Sequence, residues 1–238
     1  MIPLLAYGEN FYSQAGEDGI IAELCRRIVL GPFRIAVDIG AHDGSTNSNT
    51  AALIRDGWEC FSFEASAVKF AALKERVGDK YCEYRIVTVN NINTLTQYEP
   101  DLLSMDIGGP DIHVWRALTA WRATIVIMEI HANFPLGRLH ESRPDGPEIG
   151  HDRADNPTDW PASFSSMLAL GIEKGYRLAV STGLNMIFVD AQYAEQAGCP
   201  DDPNSLYLNG RRNKDYRAMV RDKTALRKAM AALAEEPK

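Results

Sequence analysis

The sequence predicts an α/β fold: a mostly parallel sheet of seven strands with flanking helices, which ends in a C-terminal antiparallel hairpin. Five short apolar runs alternate with helical patterns along residues 34–130, and such alternation is typical of parallel sheets covered by helices on both faces. Two further apolar runs, at 177–182 and 185–191, are separated only by Gly183 and Leu184. Because so short a connection joins antiparallel neighbours, these runs predict the hairpin.

The individual elements follow from composition and periodicity. The apolar runs are rich in Val, Ile, Phe and Leu, and those that predict the parallel strands span 34–40, 59–65, 84–90, 101–107 and 123–130. Apolar residues that recur with helical spacing predict helices over 48–58, 66–79, 110–121, 163–175 and 213–236.

A single domain accounts for the length of 238 residues. Within it we expect an N-terminal helical cap over 1–33, a long loop or lid over 131–162, and a C-terminal helix over 211–238. The long loop follows the fifth predicted strand and contains five prolines and three of the five histidines. Loops of this length are usually either functional or disordered, and we expect a lid because this one begins at the end of the strand that carries Glu129.

The net charge of −7 argues against a nucleic acid or an anionic membrane as partner, because phosphate binding depends on clustered Lys and Arg. No apolar run approaches the roughly 18 residues of a membrane span. The first residues also lack the basic and apolar pattern of a signal peptide. We therefore expect a cytoplasmic protein, and a homo-oligomer stays open.

Acidic residues stand at or just before the ends of four predicted parallel strands: Asp38, Glu64, Asp106 and Glu129. Burying an unpaired carboxylate costs several kcal/mol, so packing of the core does not explain acids at these positions. Ligands of open α/β sheets bind at the carboxyl ends of the strands. This edge is the predicted active site.

The loop "VDIGAHDGSTNSNT", residues 37–50, narrows the class of ligand. It lacks both the GxGxxG spacing of nicotinamide sites and the Gly-Lys-Ser/Thr element of a P-loop, and it matches no known metal-binding loop. An acidic loop prefers a cationic or neutral ligand. Glu64 stands 26 residues after Asp38 at the end of the second predicted strand, a position from which an acid accepts ribose hydroxyls in dinucleotide folds. S-adenosyl-L-methionine (SAM) combines a positive centre, an amino-acid end and a ribose.

Motifs along residues 11–191 carry a resemblance to a known family. They are "FYSQAGEDGIIAEL" (11–24), "DIGAHDG" followed by "SNT" (38–50), "LLSMDIGGPDIHVW" (102–115), "IVIMEIHANFP" (125–135) and "GYRLAVSTGLNMIFV" (175–189). In this order they resemble the FkbM-like group of class I SAM-dependent methyltransferases. The resemblance implies the Rossmann-like class I methyltransferase fold and methylation of an oxygen of a small molecule or glycan.

The resemblance and the loop together define the candidate site. The expected cofactor-binding residues are Gln14, Glu17, Asp38, Gly40, Ala41, Asp43, Gly44, Asn49, Thr50, Glu64, Ala65, Asn90, Asn91 and Asp106. The chain departs from the family pattern in two places, at Gly108-Gly109-Pro110 and at His131-Ala132. Both departures lie where the methyl acceptor is expected, so they bear on the acceptor rather than on the cofactor.

The expected catalytic residues are Asp106, Glu129 and His131, and two schemes stay open for them. In one, these three residues hold Mg²⁺ or another divalent cation, which lowers the pKa of an acceptor hydroxyl. In the other, His131 or His151 acts as a general base without a metal.

Three other functions remain as alternatives. The first is a binding module of the same fold that holds SAM or a nucleoside without turnover. The second is a metal-dependent hydrolase built on the His131–Asp152 region. The third, a nicotinamide dehydrogenase, is disfavoured by the glycine spacing.

Overall fold

The computed structural model describes residues 2–95, 99–145, 157–208 and 210–234. Its strands form a single seven-stranded sheet. They are β1 (Ile35–Ile39), β2 (Glu59–Glu64), β3 (Cys82–Tyr84), β4 (Leu102–Met105), β5 (Ile125–Glu129), β6 (Tyr176–Ser181) and β7 (Asn185–Asp190).

The strand order in the sheet is β3-β2-β1-β4-β5-β7-β6. The pairs among β1 to β5 are parallel, whereas β7 runs antiparallel to both β5 and β6. The chain reverses its direction of strand addition after β3, which opens a crevice at the carboxyl ends of β1 and β4. This is the mostly parallel, Rossmann-like seven-stranded sheet with a C-terminal antiparallel hairpin, and the predicted fold class is confirmed.

Helices flank the sheet and begin and end at identifiable signals. Ser66 and Ser163 cap two of them by accepting the N–H groups of Lys69 and Ser166. The helices are α1 (Glu17–Arg27), α2 (Ala51–Arg55), α3 (Ala67–Val77), α4 (Asp111–Ala117), α5 (Phe164–Glu173), α6 (Ala194–Ala197) and α7 (Gly210–Ala234).

The third strand is much shorter than predicted, because residues 85–90 leave the sheet. The Asn91 side chain accepts the N–H of Thr88 at 2.9 Å and donates to the carbonyl of Ile86 at 2.8 Å. These bonds fold the predicted strand segment into a turn. The β-branched residues of this segment favour a strand, but the local hydrogen bonds of the Asn91 side chain override that preference.

Two predicted helices are also shorter than expected. Helix α2 begins at Ala51 rather than residue 48, since the hydroxyl of Ser48 accepts the N–H groups of Thr50 and Ala51 and holds that segment outside the helix. Helix α4 ends at Ala117 because the side chain of Asn93 accepts the next free N–H groups, those of Thr119 and Ala120.

The two faces of the sheet differ at the carboxyl ends of the strands. One face stays apolar throughout, with Phe63, Met105 and Met128 packed in the larger core cluster. The opposite face is apolar at the beginning of the strands, where Ala36, Cys60, Leu102 and Ile125 pack against α1. Further along β1, β2 and β4 it becomes polar, because side chains alternate between the faces and the next members are Asp38, Ser62, Glu64, Ser104 and Asp106. On β5 the next member is the apolar Ile127, and Glu129 follows it.

The segment "SQAGEDG" (13–19) connects the N-terminal region to the sheet. Glu17 is fully buried, and its carboxylate accepts hydrogen bonds from Ala15 N, Thr182 Oγ1 and Asn185 Nδ2 at 2.8–2.9 Å. A Cβ atom on Gly19 would lie 2.1 Å from the carbonyl oxygen of Tyr7, so no larger residue fits there. The segment is therefore tied to both the hairpin and the chain that precedes it.

Within the described residues, no helix is both long and apolar enough to span a bilayer.

We expect Glu17→Ala to lower the free energy of unfolding by about 2–3 kcal/mol, because it leaves Asn185 and Thr182 without their buried acceptor. Urea denaturation measures the change. The matched control is Glu75→Ala, since Glu75 is exposed on α3 and its loss should change stability by less than about 0.5 kcal/mol. Equal stability of the two variants would contradict the anchoring role of Glu17.

Candidate cofactor site

A cavity of about 600 Å³ lies at the carboxyl edge of the sheet, within the size range of small-molecule sites. Of the residues predicted from sequence, those that line it are Gln14, Asp38, Gly40, Ala41, Asn49, Glu64, Ala65, Asn90, Asp106 and Glu129. The structure thus brings together the ends of β1, β2, β4 and β5 with the loop that follows β1 and the turn that follows β3.

Glu64 is the most firmly oriented carboxylate in this cavity. Its Oε2 accepts the N–H of His42 at 2.8 Å, and its Oε1 accepts the N–H of Ser66 at 2.7 Å. Only 7% of Glu64 is exposed. Each carboxylate oxygen can accept a further bond, so Glu64 presents two oriented acceptors, which suits a pair of neighbouring hydroxyl groups.

Gly40 permits the close approach of β1 to the segment after β4. Its φ is +85°, and a Cβ atom there would lie 1.9 Å from the carbonyl oxygen of Asp106. The N–H of Gly40 donates to the carbonyl of Phe63 at 2.8 Å. Any side chain at this position would separate β1 from β4 and widen the cavity floor, so the glycine is required for packing as well as for the turn.

Asp38 lies buried on the cavity floor, below the strand ends. Its Oδ2 accepts the hydroxyl of Thr50 at 2.6 Å. Burial raises the pKa of Asp38 to about 6; the hydrogen bond from Thr50 opposes this, and the charges of Asp106 and Glu64 add to it. The floor therefore has an excess of negative charge that a cationic ligand would relieve.

Asp106 and Glu129 occupy neighbouring positions at the ends of β4 and β5. The register pairs Met105 with Met128, so the next residue on each strand is one of these acids. Both line the cavity. Asp106 is exposed, whereas the buried carboxylate of Asp111 nearby accepts the N–H groups of Ile107 and Gly109 and fixes the loop after β4.

Five other predicted cofactor residues do not line the cavity. The carboxylate of Glu17 binds the hairpin, as described above. Asp43 accepts bonds from Ser45 and Thr46 within its own turn. Partial burial acts to raise the pKa of Asp43, but these hydrogen bonds hold that pKa well below its usual range. The remaining residues are Gly44, which turns the chain with φ +72°, Thr50, which bonds Asp38, and Asn91, which holds the turn after β3.

The predicted magnesium set of Asp106, Glu129 and His131 does not assemble. Across residues 2–95, 99–145, 157–208 and 210–234, no group of three or more His, Cys, Asp or Glu residues is placed to hold a metal ion. His131 does not line the cavity, because its ring stacks in parallel on Trp160 at 4.3 Å and contacts Phe134 at 5.2 Å. Burial lowers the pKa of His131. The other candidate base, His151, lies outside the described residues.

The long loop covers one side of the cavity through residues that the sequence did not single out. Pro144 and Asp145 line the cavity. The chain just before them is fixed to α4 by a bond of 2.7 Å between His113 Nε2 and the carbonyl of Ser142, and by the paired charges of Arg116 and Glu141 at 2.7 Å.

Sequence reasoning found only Ala65 and Asn90 of the wall formed by the turn after β3 and the beginning of α3. The residues of this wall that it missed are Ser66, Lys69, Arg85, Ile86, Thr88 and Val89. The sequence signal for this wall was Asn91, because asparagine favours turns over strands. Since the strand ends at residue 84, the residues that follow it lie at the edge of the cavity.

No family model matches the sequence, and no curated protein matches it. Among solved structures, the N-terminal domain of EvdMO1 with SAH bound matches 75% of this chain and 80% of its own length, with 14% identity and a TM-score of 0.48. A S-adenosylmethionine-dependent methyltransferase from Clostridium acetobutylicum matches 76% of this chain and 92% of its own, with 9% identity and a TM-score of 0.47. A putative O-methyltransferase from Klebsiella pneumoniae matches 66% and 73%, with 13% identity and a TM-score of 0.39.

We expect Asp38→Asn to be more stable than the natural protein at pH 7.5, by at most about 3 kcal/mol. The folded-state pKa of about 6 exceeds the ordinary 3.8, so ionisation of Asp38 costs folding stability as the pH rises between these values. The advantage of the variant should therefore vanish near pH 4. Urea denaturation across this range measures it.

The control for this series is Asp201→Asn, since Asp201 is exposed and its loss should leave a pH-independent difference near zero. A stability advantage of Asp38→Asn that is larger at pH 4 than at pH 7.5 would contradict the assignment.

Proposed function

We propose that the chain is a SAM-dependent methyltransferase and that the cavity at the carboxyl edge of the sheet holds SAM. The observation that carries the proposal is the orientation of Glu64 beside the Gly40 turn. Two fixed carboxylate oxygens suit the two hydroxyls of a ribose. The FkbM-like motifs, which place an acid at this strand end and a glycine turn beside it, support the same reading.

The charges of the cavity favour SAM over a dinucleotide. Asp38, Asp106 and Glu129 surround the part of the cavity between β1 and β5, where a pyrophosphate would be repelled. SAM instead brings an ammonium and a sulfonium. The volume of about 600 Å³ also suits a ligand of this size with room beside it.

Each part of the cofactor has a matching wall. Glu64 would bind the ribose, and the turn after β3, with Ile86, Val89 and Asn90, would contact the adenine. Gly40 and Ala41 would approach the amino-acid end with their backbone, while Gln14 would close over it. These roles remain the proposal for the residues that line the cavity.

When bound, SAM supplies an electrophilic methyl group. The chain then has to align an acceptor with it, and methyl transfer depends mainly on such alignment. We propose Asp106 and Glu129 as the carboxylates that orient an acceptor hydroxyl and accept its proton. We propose that these two residues support the O-methylation of a small molecule or glycan, without the metal ion that the sequence suggested.

We expect SAM to bind the natural protein with a micromolar dissociation constant in a calorimetric titration, and Glu64→Gln to weaken binding at least about tenfold. The glutamine keeps the size of the side chain but loses the charge and one acceptor. The control is Glu59→Gln, at the exposed beginning of the same strand, which should change the affinity less than about twofold. Thermal unfolding verifies that both variants are folded.

A flat titration of the folded natural protein would overturn the proposal, and so would equal affinities of the two variants. Release of SAH in the presence of hydroxyl-bearing acceptors distinguishes an enzyme from a binding module that holds SAM without turnover.

A further inference from the structure

The loop after β1 places one basic side chain in the cofactor cavity, that of His42, and the proposed function gives this side chain no role. His42 lines the cavity together with its neighbours Gly40 and Ala41, whose backbone would approach the amino-acid end of SAM. The backbone N–H of His42 donates to Glu64. The imidazole ring takes no part in that bond, so its place in the cavity has another cause.

The backbone of His42 would suit a glycine better than a histidine. Its φ is +52°, in the left-handed region, where a Cβ atom costs energy that glycine avoids. Gly40 and Gly44 turn the same loop with φ of +85° and +72°. A third glycine would keep the N–H bond to Glu64, so the turn itself does not require a side chain at position 42. Strain that is kept without a structural need indicates a function.

The two ring nitrogens of His42 have different surroundings. Nδ1 is buried and makes no hydrogen bond within the described residues, and it lies 3.6 Å from Oδ1 of Asp43. Nε2 also has no hydrogen-bond partner in that part of the chain but, unlike Nδ1, it keeps solvent-accessible surface. Since 43% of the side chain is exposed, Nε2 is the ring nitrogen that a ligand in the cavity meets.

Asp43 provides a negative charge on the other side of the ring. Its carboxylate accepts bonds from Ser45 and Thr46. Partial burial acts to raise the pKa of Asp43, but those bonds hold that pKa well below its usual range. Asp43 is therefore ionised at neutral pH and favours a proton on Nδ1 of His42. A ligand carboxylate at Nε2 would favour a second proton there, because the imidazolium then lies between two negative groups.

The other charges of the cavity explain why SAM needs a base beside its amino-acid end. Asp38, Asp106 and Glu129 line the cavity, and they attract the ammonium and the sulfonium of SAM but repel its carboxylate. Among the described residues, only two further bases line the cavity, Lys69 and Arg85. Both lie on the wall formed by α3 and the turn after β3, away from the loop that meets the amino-acid end.

We propose that His42 binds the carboxylate of SAM through Nε2 and thereby selects ligands with an intact amino-acid end. This assignment rests on the proposed function, because it gives a partner to one group of the same cofactor. Since the N–H of His42 donates to Glu64, a single hydrogen-bonded pair of residues would then hold both the ribose and the carboxylate.

Decarboxylated SAM, which lacks only the carboxylate, provides the test. Calorimetric titrations of the natural protein with SAM and with decarboxylated SAM measure what that group contributes to binding. We expect SAM to bind at least about tenfold more tightly, since a charge-assisted hydrogen bond is lost with the carboxylate. Glu64→Gln should weaken the binding of both ligands by the same factor, because both contain the ribose.

Two variants of His42 test the residue itself. His42→Gly removes the imidazole and suits the left-handed backbone, and His42→Asn also tolerates that backbone but carries no charge. Each should bind SAM at least about tenfold more weakly and decarboxylated SAM within about twofold of the natural protein. The matched control is Lys69→Ala, which removes another base of the cavity and should keep the preference for SAM. Circular dichroism verifies folding, and His42→Asn decides if His42→Gly is unfolded.

Three results would overturn the role of His42 while SAM binding stands. They are equal affinities of the natural protein for the two ligands, a preference for SAM that persists in the folded His42 variants, and a preference that is lost in Lys69→Ala instead. A natural protein that is folded and binds neither ligand would overturn the proposed function, and the role of His42 with it.

Discussion

The carboxylate of Glu64 connects the two backbone segments from which the cofactor cavity is built. It accepts one N–H from the loop after β1 and one from the beginning of α3, so the loop and the helix take their relative positions from a single side chain. The Gly40 turn makes this possible, because the backbone there passes between β2 and the segment after β4 without a side chain. The cavity is thus a consequence of one glycine and one glutamate at adjacent strand ends.

The electrostatics of the cavity follow from the sheet. Parallel strands end at the same edge, so acids at equivalent positions of neighbouring strands come together whether or not they repel one another. The pKa of Asp38 rises to about 6 mainly because the residue is buried, and the charges of Asp106 and Glu64 raise it further, whereas the hydroxyl of Thr50 lowers it. Buried negative charge of this kind favours a cationic ligand over an anionic one, which is consistent with the proposal that the cavity holds SAM rather than a nucleotide.

The sequence predicted the fold class and the acidic edge of the sheet because both depend on regular patterns. Alternating apolar runs predicted the parallel strands, and the acids at the strand ends were Asp38, Glu64, Asp106 and Glu129. What it missed depends on single side-chain bonds that have no periodicity. Asn91 bends residues 85–90 into the cavity wall, and Trp160 stacks on His131 and keeps it from the predicted metal set. Glu17 shows the same limit, since a sequence motif does not tell whether a buried acid anchors the fold or binds a ligand.

Hydrogen–deuterium exchange of the natural protein, with and without saturating SAM, tests the central claim most directly. If SAM occupies the cavity, amide exchange will slow in residues 40–50 and 85–90, both of which contribute residues to the cavity lining, and α7 will be unchanged. If exchange in both segments is the same with and without SAM, or if SAM slows exchange only elsewhere in the chain, the cofactor does not bind at the carboxyl edge of the sheet and the account is wrong.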